Sequence, residues 1–314
     1  MKKVISTLLI SILALTFCFG GVAYAQEDET LPDPGITPDS AFYFVDVWGE
    51  QLGLMFAFNV QDRAGKAMRY AEEKLAEMNA MLAQNKVEDA TRATNQHHNR
   101  LMTALEAIEV ADDGDATLET VALAAAKQIR YCNDSMAGAP VNAQGALTQA
   151  RDTARTCEET ALKCMAQGDP EEGAQLHLQL MERQLNGIQI IGEESEPVRL
   201  QNALQEFARL NALGEDILEV AEDKGKGAEV GQMYGMATAN HLALLAKVHG
   251  QVQAQAQGAI EDSMQICVEN HVEVVNRLSN NNMLGGITEE APIPEELPEN
   301  VRQKLAAGGS GQKP

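Results

Sequence analysis

Basic side chains are scarce in this chain, and so are several other things whose absence carries information. Lys and Arg number 24 against 46 Asp and Glu, a net charge of −22 over 314 residues. So acidic a surface repels phosphate backbones and anionic headgroups, which argues against nucleic-acid binding and polybasic membrane docking. Runs of β-branched residues are missing, which removes the strand reading. Apolar residues instead recur at three- and four-residue steps among Ala, Leu, Met, Gln and Glu, the pattern of an all-α protein. The sequence has no GxSxG, Walker loop, HExxH, CxxC or CxxCH. Asp112-Asp113-Gly114-Asp115 lacks the alternate ligand spacing and closing Glu of a calcium loop, and reads as a solvated turn. No enzyme is expected.

What is present begins with an address. Lys2 and Lys3 precede an uncharged apolar run from Val4 to Gly21, and Ala23-Tyr24-Ala25 then offers a small-x-small cleavage site. Residues 1–25 are therefore expected to be a cleaved signal peptide, with bulky Phe17 arguing against lipoprotein processing at Cys18. Cleavage leaves 46 acidic against 22 basic residues, a net charge of −24, in a periplasmic, extracellular or cell-surface protein. No transmembrane segment is expected in the mature chain.

Punctuation then divides the sequence. Residues 26–39 are an acidic, Pro-rich leader, and Asp39 or Ser40 is the expected N-cap of the first helix. A second helix starts near Asn59 and Asp62 and runs to about Gln84; Glu88–Val110 returns beside it. Helices are expected from Thr117 to Met136, after the Gly138–Asn142 turn to Gln167, from Pro170 to Gly192 and from Pro197 to Asp223. Residues 228–282 form one long helix or one broken at Gly250 or Gly258. The expected architecture is an antiparallel helical bundle or stacked helical hairpins. It comprises modules at 40–136 and 142–282 and a disordered tail at 283–314. "MLAQNKVEDA" at 81–90 and "CMAQGDPEEG" at 164–173 align at an offset of 83 residues, and Leu105 and Ile108 then match Ile188 and Ile191, the trace of an internal repeat.

The mature chain keeps Cys132, Cys157, Cys164 and Cys267, an even count that predicts two disulfides in an oxidising compartment. A seven-residue step along one helix separates Cys157 from Cys164 by roughly 10.5 Å, beyond disulfide reach. Each is then expected to pair with Cys132 or Cys267. The competing reading is a divalent or copper ion held by Cys267 and His271, four apart on one helix face, with His241 on the same stretch. Met68, Met78, Met81 and Met102 fall at core spacing rather than in copper-binding clusters. Glu72, Glu73, Lys74 and Glu77 read as a solvated, ion-paired face.

Aromatics make up only 4 % of the sequence, yet Phe42, Tyr43, Phe44, Trp48, Phe56 and Phe58 crowd into one stretch. Phe44 or Val45, Trp48, Leu52 and Met55 make an apolar stripe expected to anchor the core, opposite Asp46, Gly49, Glu50 and Gly53. Phe42, Tyr43, Phe56 and Phe58 exceed what one stripe can bury and are candidates for a contact surface. Pro34-Gly35, Pro38-Asp39-Ser40, Phe42-Tyr43-Phe44, Glu50 and the Ala71–Glu77 helix resemble the exported helical family catalogued as domain of unknown function 5667, over about residues 31–110. Ala41 departs from the second proline such proteins often carry. The resemblance implies export and helical hairpins and supplies no catalytic residues. The function expected is that of a non-catalytic binding or envelope-associated module with an unidentified protein or envelope partner. The alternatives are a metal-binding or stress-sensing bundle and a self-assembling structural subunit.

Overall fold

Asn59 starts the first long helix by chemistry local to the chain: its side-chain oxygen accepts the Asp62 amide at 2.6 Å, satisfying a donor the helix leaves open. Asn85 ends the same helix in the left-handed region at φ +58°, and the Lys86 amide turns back to the Met81 carbonyl. Gly225, at φ +71°, and Lys226 repeat this device against Ala221. Between them, Asp169 caps two amides at once, those of Glu171 and Glu172, while Pro170 opens the new helix. Gly173 is required there, because a Cβ would lie 2.7 Å from the Ala166 backbone.

The computed structural model describes residues 31–109, 115–194, 196–280 and 297–303. Among them the ordered elements are helices, with no strand: α1 (Tyr43–Met55), α2 (Val60–Ala83), α3 (Val87–Glu109), α4 (Asp115–Gly138), α5 (Val141–Gly168), α6 (Pro170–Glu194), α7 (Pro197–Asp223), α8 (Gly227–His249) and α9 (Ala254–Asn280). The signal peptide expected at 1–25 and the Asp112-Asp113-Gly114 turn lie outside the described residues. The long C-terminal helix is broken, at Gly250 to Gln253, and Gly258 sits inside α9.

Successive helices pair as hairpins, α2 with α3, α4 with α5, α6 with α7 and α8 with α9, and the hairpins pack on one another through α3–α5, α5–α6 and α6–α8. One apolar core runs through them, from Leu54, Ala64 and Met68 to Val268, Val274 and Leu278. It is rich in Ala, which lets helices approach closely. The offset of 83 residues extends well beyond the aligned segments. It carries α2–α3 onto α5–α6, α4 onto α7, and α5–α6 onto α8–α9. Leu105, Ile108, Ile188 and Ile191 are all buried.

Two expectations need correction here. Phe42, not Asp39 or Ser40, precedes the first turn of α1; Asp39 instead pairs with Lys86 at 2.5 Å and accepts a bond from Thr37. Nor is the whole tail at 283–314 without structure. Residues 299–303 are helical; Leu297 and Val301, four apart, join the core, and Asn300 reaches Glu261 at 2.8 Å.

Candidate functional site

Lys74 determines how α1 is held on α2 and α3. It lies on the same stripe of α2 as Ala67, Met68, Ala71, Met78 and Met81, and is fully buried with them. A buried ammonium without partners costs several kcal/mol, so the helix laid across it must bring carboxylates. α1 does so: Asp46 lies 2.8 Å from the ammonium and Glu50 2.7 Å, while Glu77 of α2 lies 2.5 Å away. Arg100 of α3 pairs with the other Glu50 oxygen at 2.9 Å. The Tyr43 hydroxyl donates to Glu77 at 2.8 Å, and its ring lies 4.9 Å from the Lys74 ammonium. Two cations and three carboxylates are thus locked under α1. Burial disfavours the Lys74 ammonium, but bonds to the three carboxylates outweigh it and hold its pKa above the usual value. Burial pushes Glu77 up to about 7 against the pull of Lys74 and Tyr43.

The consequence for α1 reverses the sequence expectation. Tyr43, Glu50 and Leu54 face inward, and of the apolar stripe expected to anchor the core, Phe44, Val45, Trp48 and Met55 face outward while Leu52 is half-buried. Phe44 is 70 % exposed, Trp48 64 % and Met55 68 %; flanking the helix, Phe42 is 67 %, Phe56 57 % and Phe58 92 % exposed. Of the contact-surface candidates, Phe42, Phe56 and Phe58 are placed on the surface and Tyr43 is not. Gly53 lies on the inner side, where a Cβ would come within 2.4 Å of the Tyr70 hydroxyl. The solvated face expected on α2 divides as well. Lys74 and Glu77 are buried, while Glu72 and Glu73 remain half-exposed and pair with Lys127 and Arg69. A second buried cluster joins Arg155 and Arg209 to Glu206, and Arg209 to Glu158. Burial lifts Glu158 to about 7, opposed by Arg209.

The disulfides expected among Cys132, Cys157, Cys164 and Cys267 are not formed: all four are unbridged thiols. The helices hold them in different seams. Cys157 Sγ lies 3.6 Å from the Leu101 carbonyl, between α5 and α3, while Cys267 bonds to Asn211, between α9 and α7. Burial pushes the thiols of Cys132, Cys157 and Cys267 up to about 12, which leaves them inert. Met68, Met78 and Met81 are in the core as expected, whereas Met102 is 39 % exposed.

Of the metal candidates on α8 and α9, His241 lines a small cavity, whereas Cys267 and His271 do not. The cavity measures about 30 Å³, room for a water-sized group, and its mostly apolar wall includes His177, Tyr234, Thr238 and His241, with Glu215, Glu273 and Arg277 also lining it. His177 donates from Nε2 to the Leu210 carbonyl at 2.8 Å and accepts the Tyr234 hydroxyl at 2.9 Å, which fixes its tautomer. His271 Nδ1 lies 2.9 Å from the Thr238 hydroxyl. His241 is buried against Phe207, and neither of its ring nitrogens meets a protein partner. Burial lowers His177 to about 4 and His241 to about 3, so both are neutral at pH 7. Among the described residues, no three His, Cys, Asp or Glu side chains converge as an ion would require. Cys267 is held by Asn211 rather than turned with His241 and His271 toward one point.

Fold and surface together define an all-helical repeat protein whose first helix lies over a buried ion cluster with its aromatic side outward. Residues 35–150 match the model of the family described as Domain of unknown function (DUF5667). The match runs past the stretch that carries the resemblance, through α4 and into α5. It includes Tyr43, Asp46, Glu50, Lys74, Glu77 and Arg100, the whole ion cluster. No curated protein matches the chain.

Proposed function

We propose that this is an exported, non-catalytic helical module that acts by docking through the outward face of α1. The observation that carries the reading is the exposure of Phe42, Phe44, Trp48, Met55, Phe56 and Phe58 on and beside one helix. Large apolar patches on a surface mark interaction sites, and aromatic residues dominate the energetics of such contacts. Export is supported by the Lys2-Lys3 start, the apolar run and the Ala23-Tyr24-Ala25 site. Among the described residues no helix is long and apolar enough to cross a membrane. Docking from the periplasm, cell surface or medium is the role proposed.

A benzophenone photo-cross-linking residue in place of Trp48, and separately of Phe58, tests the reading in an exporting cell. The same residue at Val141, an exposed apolar position on α5, serves as control. Adducts at 48 and 58 but not at 141 are expected. Equal labelling at all three positions, or none, would overturn the docking reading.

A further inference from the structure

We infer that the occupant of this face is a second copy of the same chain, docked α1 against α1 about a twofold axis. The inference rests on the docking reading above and names its partner.

Area is the first argument. Five exposed aromatics, between 57 % and 92 % accessible, together offer about 700 Å² at ~200 Å² per fully buried ring. Met55 and Val45 add to this. The largest apolar patch on an ordinary monomer is about 300–600 Å², whereas a stable pair of proteins covers about 800 Å² on each partner. The face of α1 exceeds the first figure and approaches the second.

Charge is the second. With a net charge of −22 the chain is repelled by anionic headgroups and by most acidic partners, and two copies also repel each other over most of their surface. The contact face escapes this. The two acidic residues of α1, Asp46 and Glu50, point inward and are neutralised by Lys74 and Arg100, so two α1 faces meet without charge on charge. No basic residue lies in α1 to draw it to a lipid surface.

The third argument is the placement of one glycine. Gly53 is explained from inside, since Tyr70 fills the space a Cβ would need. Gly49 has open space instead, with nothing within 4 Å of its would-be Cβ, as is also true of the exposed Gly145 in α5 and Gly258 in α9; what sets it apart is its place beside Trp48, midway along Tyr43–Met55. A glycine in a helix interior costs stability, about 1 kcal/mol relative to Ala. At the crossing point of two helices it lets the backbones approach closely, as small residues do at helix contacts. A twofold contact repeats one patch on itself, so crossing near Gly49 sets the neighbouring Trp48 of each copy against the other's α1. Lipid gains nothing from a glycine at that position.

Sedimentation velocity on the exported chain over a micromolar concentration series, at low and high salt, tests this. A dimer is expected that tightens with salt as the acidic surfaces are screened. Trp48→Ser and Gly49→Leu should each weaken it roughly tenfold or more, with unchanged circular dichroism because both positions are exposed. Gly49→Leu is the diagnostic variant. It adds apolar area and would strengthen docking to lipid or to a flat apolar partner, but it blocks a close helix crossing. A monomer at every concentration, or a dimer indifferent to both variants, overturns the inference. Photo-adducts at position 48 separate the two levels. Adducts to lipid or another protein with a monomeric chain remove the second copy and keep the docking face; no adducts and no dimer remove both.

Discussion

Lys74 shows how much one side chain can determine. Its ammonium is buried among Asp46, Glu50 and Glu77, so removing it leaves three carboxylates competing for Arg100 alone. Lys74→Ala should destabilise the protein by about 3–5 kcal/mol in chemical denaturation, the usual cost of orphaning buried charge; a loss under 1 kcal/mol would mean the cluster is solvated. His241 is the opposite case. Neither ring nitrogen has a protein partner, and an unsatisfied buried polar group costs about 1–3 kcal/mol. His241→Leu is therefore expected to raise the melting temperature, and a lowered one would show that the ring bonds to an occupant of the cavity. For the thiols, a maleimide added to the native chain should label Cys164 first. Cys132, Cys157 and Cys267 should react only on unfolding, and without reductant. Thiols that appear only after reduction would restore the disulfide reading.

At the scale of elements, α1 differs from the rest because it is held by charge more than by apolar burial. Only Tyr43, Glu50 and Leu54 of its residues are buried, and Glu50 bridges Lys74 and Arg100. Glu50→Ala should free α1 from α2 while the hairpins behind it keep their packing. Hydrogen exchange is expected to quicken across 43–55 and stay slow in α5–α9; a uniform change would show α1 to be integral to the core. The sequence made much of this scale legible. Asn59, Asn85, Pro170 and Gly225 punctuate the helices through local chemistry, and local chemistry can be read from neighbours in sequence. The orientation of α1 could not be read that way. A helical stripe has two sides, and the choice between them was made by Lys74 and Arg100, which belong to other helices. One signal was available: Lys74 interrupts the apolar register of Ala67, Ala71, Met78 and Met81, a position where lysine is either wrong or paired. The disulfides failed as an expectation because an even cysteine count says nothing about which seam each thiol enters.

For the whole molecule, buried titratable groups set opposing pH dependences. His97, His177 and His241 are lowered by burial to about 4, 4 and 3, and His271 is lowered too. They are neutral when folded and bind protons when unfolded, so the stability they contribute is full above pH 6.5. It is lost as pH falls through the folded values. Glu77 and Glu158, raised to about 7, act the other way: their contribution is full below pH 4.5 and lost as pH rises through 7. Burial raises Glu73, Glu182 and Glu215 as well, so the two sets oppose each other between pH 7 and pH 5. His241→Leu removes one histidine from that balance, and over this interval the variant's melting temperature should fall less, or rise more, than the parent's; an unchanged pH dependence would show that the ring titrates alike folded and unfolded.

The single tryptophan of the chain is Trp48, and it stands on the outward face of α1. Its indole emission therefore reports on nothing else. A lone chain should already emit at the long wavelength of a water-bathed indole, and unfolding would barely change its colour. A blue shift would mean that something has covered the face. The molecule carries its own optical gauge of occupancy, which needs no added label and can be read at the dilution where its contacts begin to come apart.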